Sequence, residues 1–203
     1  MSQGSGKQTT FFKLGGGLPA GFDLLTDYLK APEAHELMGD LLETANLDTH
    51  LIRIFGRTCP MPRRIAWFGD QSYSYSGVQH PARPLPDNIQ RLAQQLENDL
   101  EQPFNGVLLN HYRTGEDSMG WHTDDDYDAG EYPKIASISL GATRRFRLRP
   151  KSDPSLSTSV DLDHGSLLVM GAGTQLTHQH ALPKMRKALG GRLNLTFRWM
   201  EPK

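Results

Sequence analysis

The residues best suited to chemistry lie between Asn110 and Asp126, NHYRTGEDSMGWHTDDD. His122 and Asp124 stand two apart there, and in extended backbone residues two apart share a face, so both side chains can grip one metal ion. A third donor must come from far along the chain. The run Thr177-His178-Gln179-His180 offers His180, with His178 as its rival. Two imidazoles and a carboxylate on one side of a metal leave the opposite positions open, the arrangement that non-heme iron(II) oxygenases use to bind a cosubstrate and oxygen. A structural zinc site favours four closed ligands, usually with cysteine, and the only cysteine is Cys59. A zinc hydrolase on the same three residues is the rival chemistry.

Holding such a trio needs a rigid frame. From Gly106 onward, short runs separated by Gly, Pro and Asp predict strands at 106–112, 135–141, 144–149, 166–170 and 192–199, as in an antiparallel sandwich or barrel. In the first, Leu108, Asn110 and Tyr112 share a face. In the last, Arg192, Asn194, Thr196 and Arg198 oppose Leu193, Leu195, Phe197 and Trp199. That polar face looks either to solvent, as is common in antiparallel sheets, or into a polar site. Its two arginines lie roughly 20 Å apart along an ideal strand, but long side chains and strand curvature let their heads converge on a small dianion. Arg145, Arg147 and Arg149 oppose Phe146 and Leu148; they read as a solvated arginine face, with a basic stripe as the alternative.

Two amphipathic helices come earlier. One begins near Pro32 and turns Leu37, Met38, Leu41, Leu42 and Ala45 inward; the other runs from Asp87, expected as its N-cap, to Leu100, with Ile89, Leu92, Ala93, Leu96 and Leu100 as its stripe. Between the helices, Thr49 to Gly69 holds Arg53, Arg57, Arg63 and Arg64 and no acid. Ile54-Phe55-Gly56 reads as a hairpin tip. The segment is either a basic surface loop or a nucleic-acid finger, with arginines on phosphates and Phe55 wedged into a base stack. Tyr73 and Tyr75 share a strand face, which is either half-buried or a stacking platform.

The 203 residues fit one domain. Residues 1–17, polar and glycine-rich, are expected as a flexible tail and 18–203 as the domain. A net charge of −1 gives no general pull toward nucleic acid, so any such contact must rest on local patches. A lone cysteine forms no internal disulfide and suits a reducing compartment. With neither a secretory signal nor an apolar run long enough for a bilayer, the expectation is a cytoplasmic (in a bacterium, nucleoid-associated) monomer with no membrane partner.

The order of these features, an N-x-Y strand, then H-x-D, a distant His and R-x-N-x-T-x-R on a final strand, closely resembles the AlkB family of iron(II)- and 2-oxoglutarate-dependent dioxygenases. The resemblance covers roughly residues 50–200, and Arg192 to Arg198 is its most specific piece. It implies an α+β chain with a double-stranded β-helix, or jelly-roll, core over about 104–200, N-terminal helices, and a nucleotide-recognition lid over about 50–80. His122, Asp124 and His180 become the Fe(II) ligands; His180 is preferred to His178 because His180-Ala181-Leu182-Pro183 matches a His-Ser-Leu-Pro-like stretch of the family. Asn110, Tyr112, Arg192, Asn194 and Arg198 fall on 2-oxoglutarate, with Arg192 and Tyr112 at the distal carboxylate and Arg198 and Asn110 near the one that meets iron.

The implied reaction is oxidative demethylation of N-alkylated bases such as 1-methyladenine and 3-methylcytosine in DNA. It uses Fe(II), O2 and 2-oxoglutarate and releases formaldehyde, succinate and CO2. The same chemistry on methylated RNA or another substrate is the alternative. Members that repair double-stranded DNA carry a hairpin tip like Ile54-Phe55-Gly56-Arg57 and a basic run like Pro62-Arg63-Arg64. Phe55, Arg53, Arg57, Arg63 and Arg64 are therefore expected on alkylated DNA, duplex before single strand. Tyr75, Tyr73, Asp126 and His122 are expected around the flipped base. Tyr75 stands where the family often has Phe, and Asp126 where relatives often have Glu.

Overall fold

The computed structural model describes residues 18–54, 57–75, 78–124, 134–187 and 190–202, and for 52–54, 75 and 78 the backbone alone. Strand β1 (Phe22–Leu25) and helix α1 (Ala31–Thr44) come first. Hairpin β2 (Leu51–Ile54) and β3 (Arg57–Pro60), strand β4 (Arg64–Gly69) and hairpin β5 (Tyr73–Tyr75) and β6 (Val78–His80) lead to helix α2 (Asp87–Leu100). The chain continues through β7 (Gly106–Tyr112), β8 (Met119–His122), β9 (Ile135–Gly141), β10 (Arg144–Pro150), β11 (Thr158–Leu162) and β12 (Ser166–Met170). A single helical turn α3 (Thr174–Thr177) precedes β13 (His178–Leu182), and β14 (Arg192–Arg198) comes last.

β14 sits inside the larger sheet, whose antiparallel order is β1-β12-β9-β14-β7-β4; the smaller is β11-β10-β13-β8. The alternation read from the sequence is satisfied on both sides. Leu193, Leu195 and Phe197 join a core with Leu37 and Leu41 of α1 and Ile89, Leu92 and Leu96 of α2, so the helices cover the outer face of the larger sheet. The second core holds Ile135 and Leu168 of the larger sheet against Phe146, Leu148, Leu162 and Leu182 of the smaller. This facing pair of antiparallel sheets is the jelly roll. Arg192, Asn194, Thr196 and Arg198 are all buried in it, so the polar face of β14 does not look to solvent.

The five strands expected after residue 106 are present, and β8, β11 and β13 add to them. The last ends at Arg198, with Trp199 half-buried just beyond. Two helix details differ from expectation. Pro86, not Asp87, occupies the N-cap of α2, and the Asp87 carboxylate lies in the first turn, where the exposed N–H groups of the helix end favour it. Leu42 is 40 % exposed, because α1 turns Ala34, Leu37 and Leu41 to the sheet instead. Ile54 pairs with Arg57, as a hairpin with its tip at 55–56 requires, although Phe55 and Gly56 themselves lie outside the described residues. Glycine is obligatory at Gly106, where a Cβ would stand 2.4 Å from the Trp67 ring that crosses it. Among the described residues no helix is long and apolar enough to cross a membrane.

Candidate metal centre and cosubstrate cavity

Strand pairing brings the two histidines together. His122 ends β8 and is the direct cross-strand partner of His180 in β13, their ring centroids 4.1 Å apart. The His122 Nδ1 lies 2.8 Å from the Gly120 carbonyl, to which it donates, and this leaves the Nε2 lone pair for a metal. Asp124 follows the strand end, its backbone N–H held by Gln175 Oε1 of α3 at 2.9 Å. Its Oδ1 is 3.6 Å from His122 Nε2 and its Oδ2 is 3.8 Å from His180 Nε2. One ligand atom from each residue falls within 4.8 Å of the others. His178 is elsewhere: its Nδ1 meets Thr177 Oγ1 at 2.9 Å and its ring lies edge-on to Phe22.

The charges suit a cation. Burial, helped by the positive Arg63 and Arg198 nearby, pushes the His122 imidazole below its ordinary range against the pull of Asp124, so it is neutral and able to ligate. Burial works to raise the Asp124 carboxyl, but Arg198, the two histidines and Arg63 outweigh it and keep the carboxyl ionised. Two imidazoles and one carboxylate, without a thiol, match a facial triad with open positions.

The three residues line a cavity between the sheets together with Asn110, Tyr112, Arg192, Asn194 and Arg198. Register sets the arrangement: Arg192 is opposite Tyr112, and Asn194 is opposite Asn110 on one side and Ser139 on the other. Asn194 donates to Ser137 Oγ at 2.8 Å and to the Ile138 carbonyl at 2.9 Å. Arg198, fully buried, lies at the metal end, with Nη2 3.6 Å from Asp124 Oδ2 and Nη1 donating to Tyr73 OH at 2.9 Å. Arg192 lies at the other end, with Nη2 donating to Ser139 Oγ at 2.9 Å and its guanidinium carbon 5.5 Å from the Tyr112 ring centroid. Burial and the neighbouring Arg144 push Arg192 down to about 10, so it stays cationic. Among the described residues it has no carboxylate partner, and its Nε is buried without a hydrogen bond. An anionic cosubstrate fits there on this ground.

Two expected nucleic-acid contacts are corrected. Arg63 is not at the surface; it is 4 % exposed and donates from Nε to Asn110 Oδ1 at 2.8 Å, which fixes a cavity residue. Tyr73 does not face a base. It is buried, stacked on Trp67 with centroids 4.6 Å apart, and it receives the Arg198 bond. Arg57 and Arg64 are exposed as expected. The backbones of Arg53 and Tyr75 lie in β2 and β5, but their side chains, together with Phe55 and Asp126, lie outside the described residues.

Sequence reasoning missed the groups that hold the site. Ser137 and Ser139 seat Asn194 and Arg192, and Gln175 seats Asp124. Arg144, buried behind Tyr112, donates to the carbonyls of Thr114, Asp117 and Pro183 and so ties down the loop that enters β8. Asp117 accepts from the Arg113 backbone N–H and guanidinium in the same loop. The one available signal was that Ser137 and Ser139 alternate with apolar residues in 135–141.

A model of the 2OG-Fe(II) oxygenase superfamily matches residues 21–198. The chain is 39% identical over 155 residues to the mouse alpha-ketoglutarate-dependent dioxygenase alkB homolog 3, covering 71% of this chain and 54% of that protein. It is 32% identical over 191 residues to the human DNA oxidative demethylase ALKBH2, covering 90% and 73%. The chain thus spans about half the length of the alkB homolog 3 proteins it matches. The solved structure of OsALKBH1 overlays with a TM-score of 0.62 at 22% identity, covering 91% of this chain and 99% of that one, and shares the fold.

Proposed function

The chain belongs to the 2OG-Fe(II) oxygenase superfamily and, within it, to the AlkB family, and from that premise we propose that it oxidatively demethylates N-alkylated bases in nucleic acid. DNA carrying 1-methyladenine or 3-methylcytosine is the substrate we assign to it. One observation carries the reading: the trio of His122, half-buried, and Asp124 and His180, buried, shares its cavity with the buried arginines of β14.

In this reading His122, Asp124 and His180 hold Fe(II). When bound with 2-oxoglutarate and O2, the iron supplies the oxidising power, and the protein supplies geometry. Arg192 takes the distal carboxylate of 2-oxoglutarate, its planar fork suited to paired charge-assisted bonds. Tyr112 lies beside it. Arg198, held between Tyr73 and Asp124, fixes the charge at the metal end. Asn110, its Oδ1 occupied by Arg63, keeps its N–H groups for the cosubstrate. The buried walls exclude bulk water from the oxidation. Residues 50–80 act as the lid that presents the base, and the Phe55 tip fills the gap left when the base flips out; flipping costs least where alkylation has already broken a pair.

The test is an assay of a 1-methyladenine duplex with iron, 2-oxoglutarate and air, each omitted in turn. Formaldehyde and succinate appearing only with all components is the expected result. Succinate formation that never responds to any methylated nucleic acid rejects the substrate class. Preference for a methylated RNA keeps the chemistry and replaces DNA. Base-independent hydrolysis supported by zinc, with no succinate, would instead favour the hydrolase.

A further inference from the structure

The outer face of the smaller sheet carries a basic and aromatic surface that the reaction does not use. In β10, Phe146 and Leu148 point into the core while Arg145, Arg147 and Arg149 point out. The three arginines are not equivalent. Arg145 is neutralised by Asp161 through bonds of 2.9 and 3.1 Å. Among the described residues Arg147 and Arg149 meet no carboxylate: Arg147 donates to Ser157 Oγ at 2.8 Å, and Arg149 to Gln179 Oε1 at 2.7 and 3.0 Å. Both reach across β13 to one ring. Their guanidinium carbons lie 5.2 and 4.2 Å from the centroid of Trp121, which immediately precedes His122 on the edge strand β8.

Beside Trp121 is a hollow of about 180 Å³ with Gly120, Ala181 and Pro183 in its floor and Arg147 and Lys184 at its rim. No acid lines it. Lys184 and Arg186 share the single carboxylate group of Glu116, at 3.3 and 3.8 Å, which leaves the rim positive. A chain with a net charge of −1 does not gather such an excess by composition alone. Uncompensated guanidinium groups select an anion, and a partly exposed indole among them selects one with flat rings to stack. A single strand of nucleic acid offers both in alternation.

We propose that this face is a second nucleic-acid contact, with Arg147 and Arg149 on phosphates and Trp121 stacked on a base outside the catalytic cavity. The inference rests on the nucleic-acid reading above. His122 and Trp121 are consecutive on β8 and so project to opposite faces of the strand. A strand leaving the cavity therefore meets Trp121 by turning over the sheet edge. The surface adds affinity for longer substrates without touching the reacting atoms.

Fluorescence anisotropy of the full chain with unmethylated oligothymidylates of about 5 and about 20 nucleotides, across a salt series, tests this. Arg147→Gln/Arg149→Gln should weaken the longer probe roughly tenfold and flatten its log–log salt slope by about 1.4, two phosphates at about 0.7 each. Trp121→Ala should weaken it roughly tenfold as well, and Trp121→Phe should restore most of the loss. Formaldehyde release from a methylated trinucleotide by the double arginine variant should be unchanged, which shows an intact fold. Unchanged binding and salt slope would overturn the proposal. So would inorganic polyphosphate binding as tightly as the oligonucleotide, or loss of trinucleotide activity together with binding. A wild-type protein that binds as described yet releases no formaldehyde from any methylated base refutes the proposed function and leaves this contact standing.

Discussion

A buried guanidinium costs several kcal/mol unless an anion meets it, and β14 buries two, Arg192 and Arg198. Arg198 has Asp124 and Tyr73. Arg192 has a serine hydroxyl and an aromatic ring, and in the proposed reading the anion that it lacks is the cosubstrate. Arg192→Met should therefore raise the KM for 2-oxoglutarate by roughly 10- to 100-fold, the worth of charge-assisted hydrogen bonds at about 1.5–3 kcal/mol. Arg192→Lys should recover only part, because an ammonium lacks the planar fork. Succinate formation against 2-oxoglutarate concentration measures both, and an unchanged KM in Arg192→Met would remove Arg192 from the cosubstrate. The shared face of Arg192, Asn194, Thr196 and Arg198 was legible in the sequence because residues two apart in a strand align, but its burial was not, and the cosubstrate roles rested on the family resemblance alone. Arg63 and Tyr73 were misread for a related reason. Spacing shows which residues share a face but not what lies beyond it, and here it is Asn110 and Arg198.

At the scale of elements, the strands that carry apolar alternation were readable, and those that carry the candidate metal ligands were not. β8 is Met-Gly-Trp-His and β13 His-Gln-His-Ala-Leu, short runs whose polar content resembles a loop. Their pairing comes from tertiary structure, including the loop at 113–118 that delivers β8. That loop is held by Asp117, whose carboxyl is pulled up by burial but brought below its usual range by hydrogen bonds from the Arg113 side chain and backbone. A depressed folded-state value means that its stabilisation is complete at neutral pH and fades as pH falls through and below the ordinary carboxylate range. Asp117→Asn should accordingly lower the unfolding midpoint at pH 7, and the difference from wild type should shrink steadily below about pH 4. A gap that widens on acidification would contradict the assignment. The β2–β3 hairpin makes a separate prediction: Phe55→Ala should lose most activity on a methylated duplex while retaining it on the same single strand, because only the duplex leaves a gap to fill. Equal loss on both substrates would move Phe55 from a wedge to a general contact.

For the whole molecule, the jelly roll places an excess of positive charge in its own interior. Asp124 is the only acid lining the cavity among the described residues, and it is set against Arg192 and Arg198, with Arg63 close behind. Hydrophobic packing on both faces of the larger sheet holds this arrangement together. Bound anion and metal should therefore stabilise the fold as well as serve the reaction. By mass action, ligand at about 100 times its Kd adds about 2.7 kcal/mol, and for a domain of this size each kcal/mol moves Tm by about 2–4 °C. Manganese as a redox-silent stand-in, together with 2-oxoglutarate, should then raise Tm by roughly 5–10 °C, and excess EDTA should abolish the part that depends on metal. Asp124→Ala removes a candidate ligand atom but also a negative charge among arginines. Its Tm should respond to 2-oxoglutarate alone at least as much as wild type does, while its response to manganese is lost. A manganese shift that survives Asp124→Ala would place the metal elsewhere; a wild-type shift with 2-oxoglutarate analogues that lack the distal carboxylate, equal to that with 2-oxoglutarate itself, would show that Arg192 stabilises the strand and not the ligand.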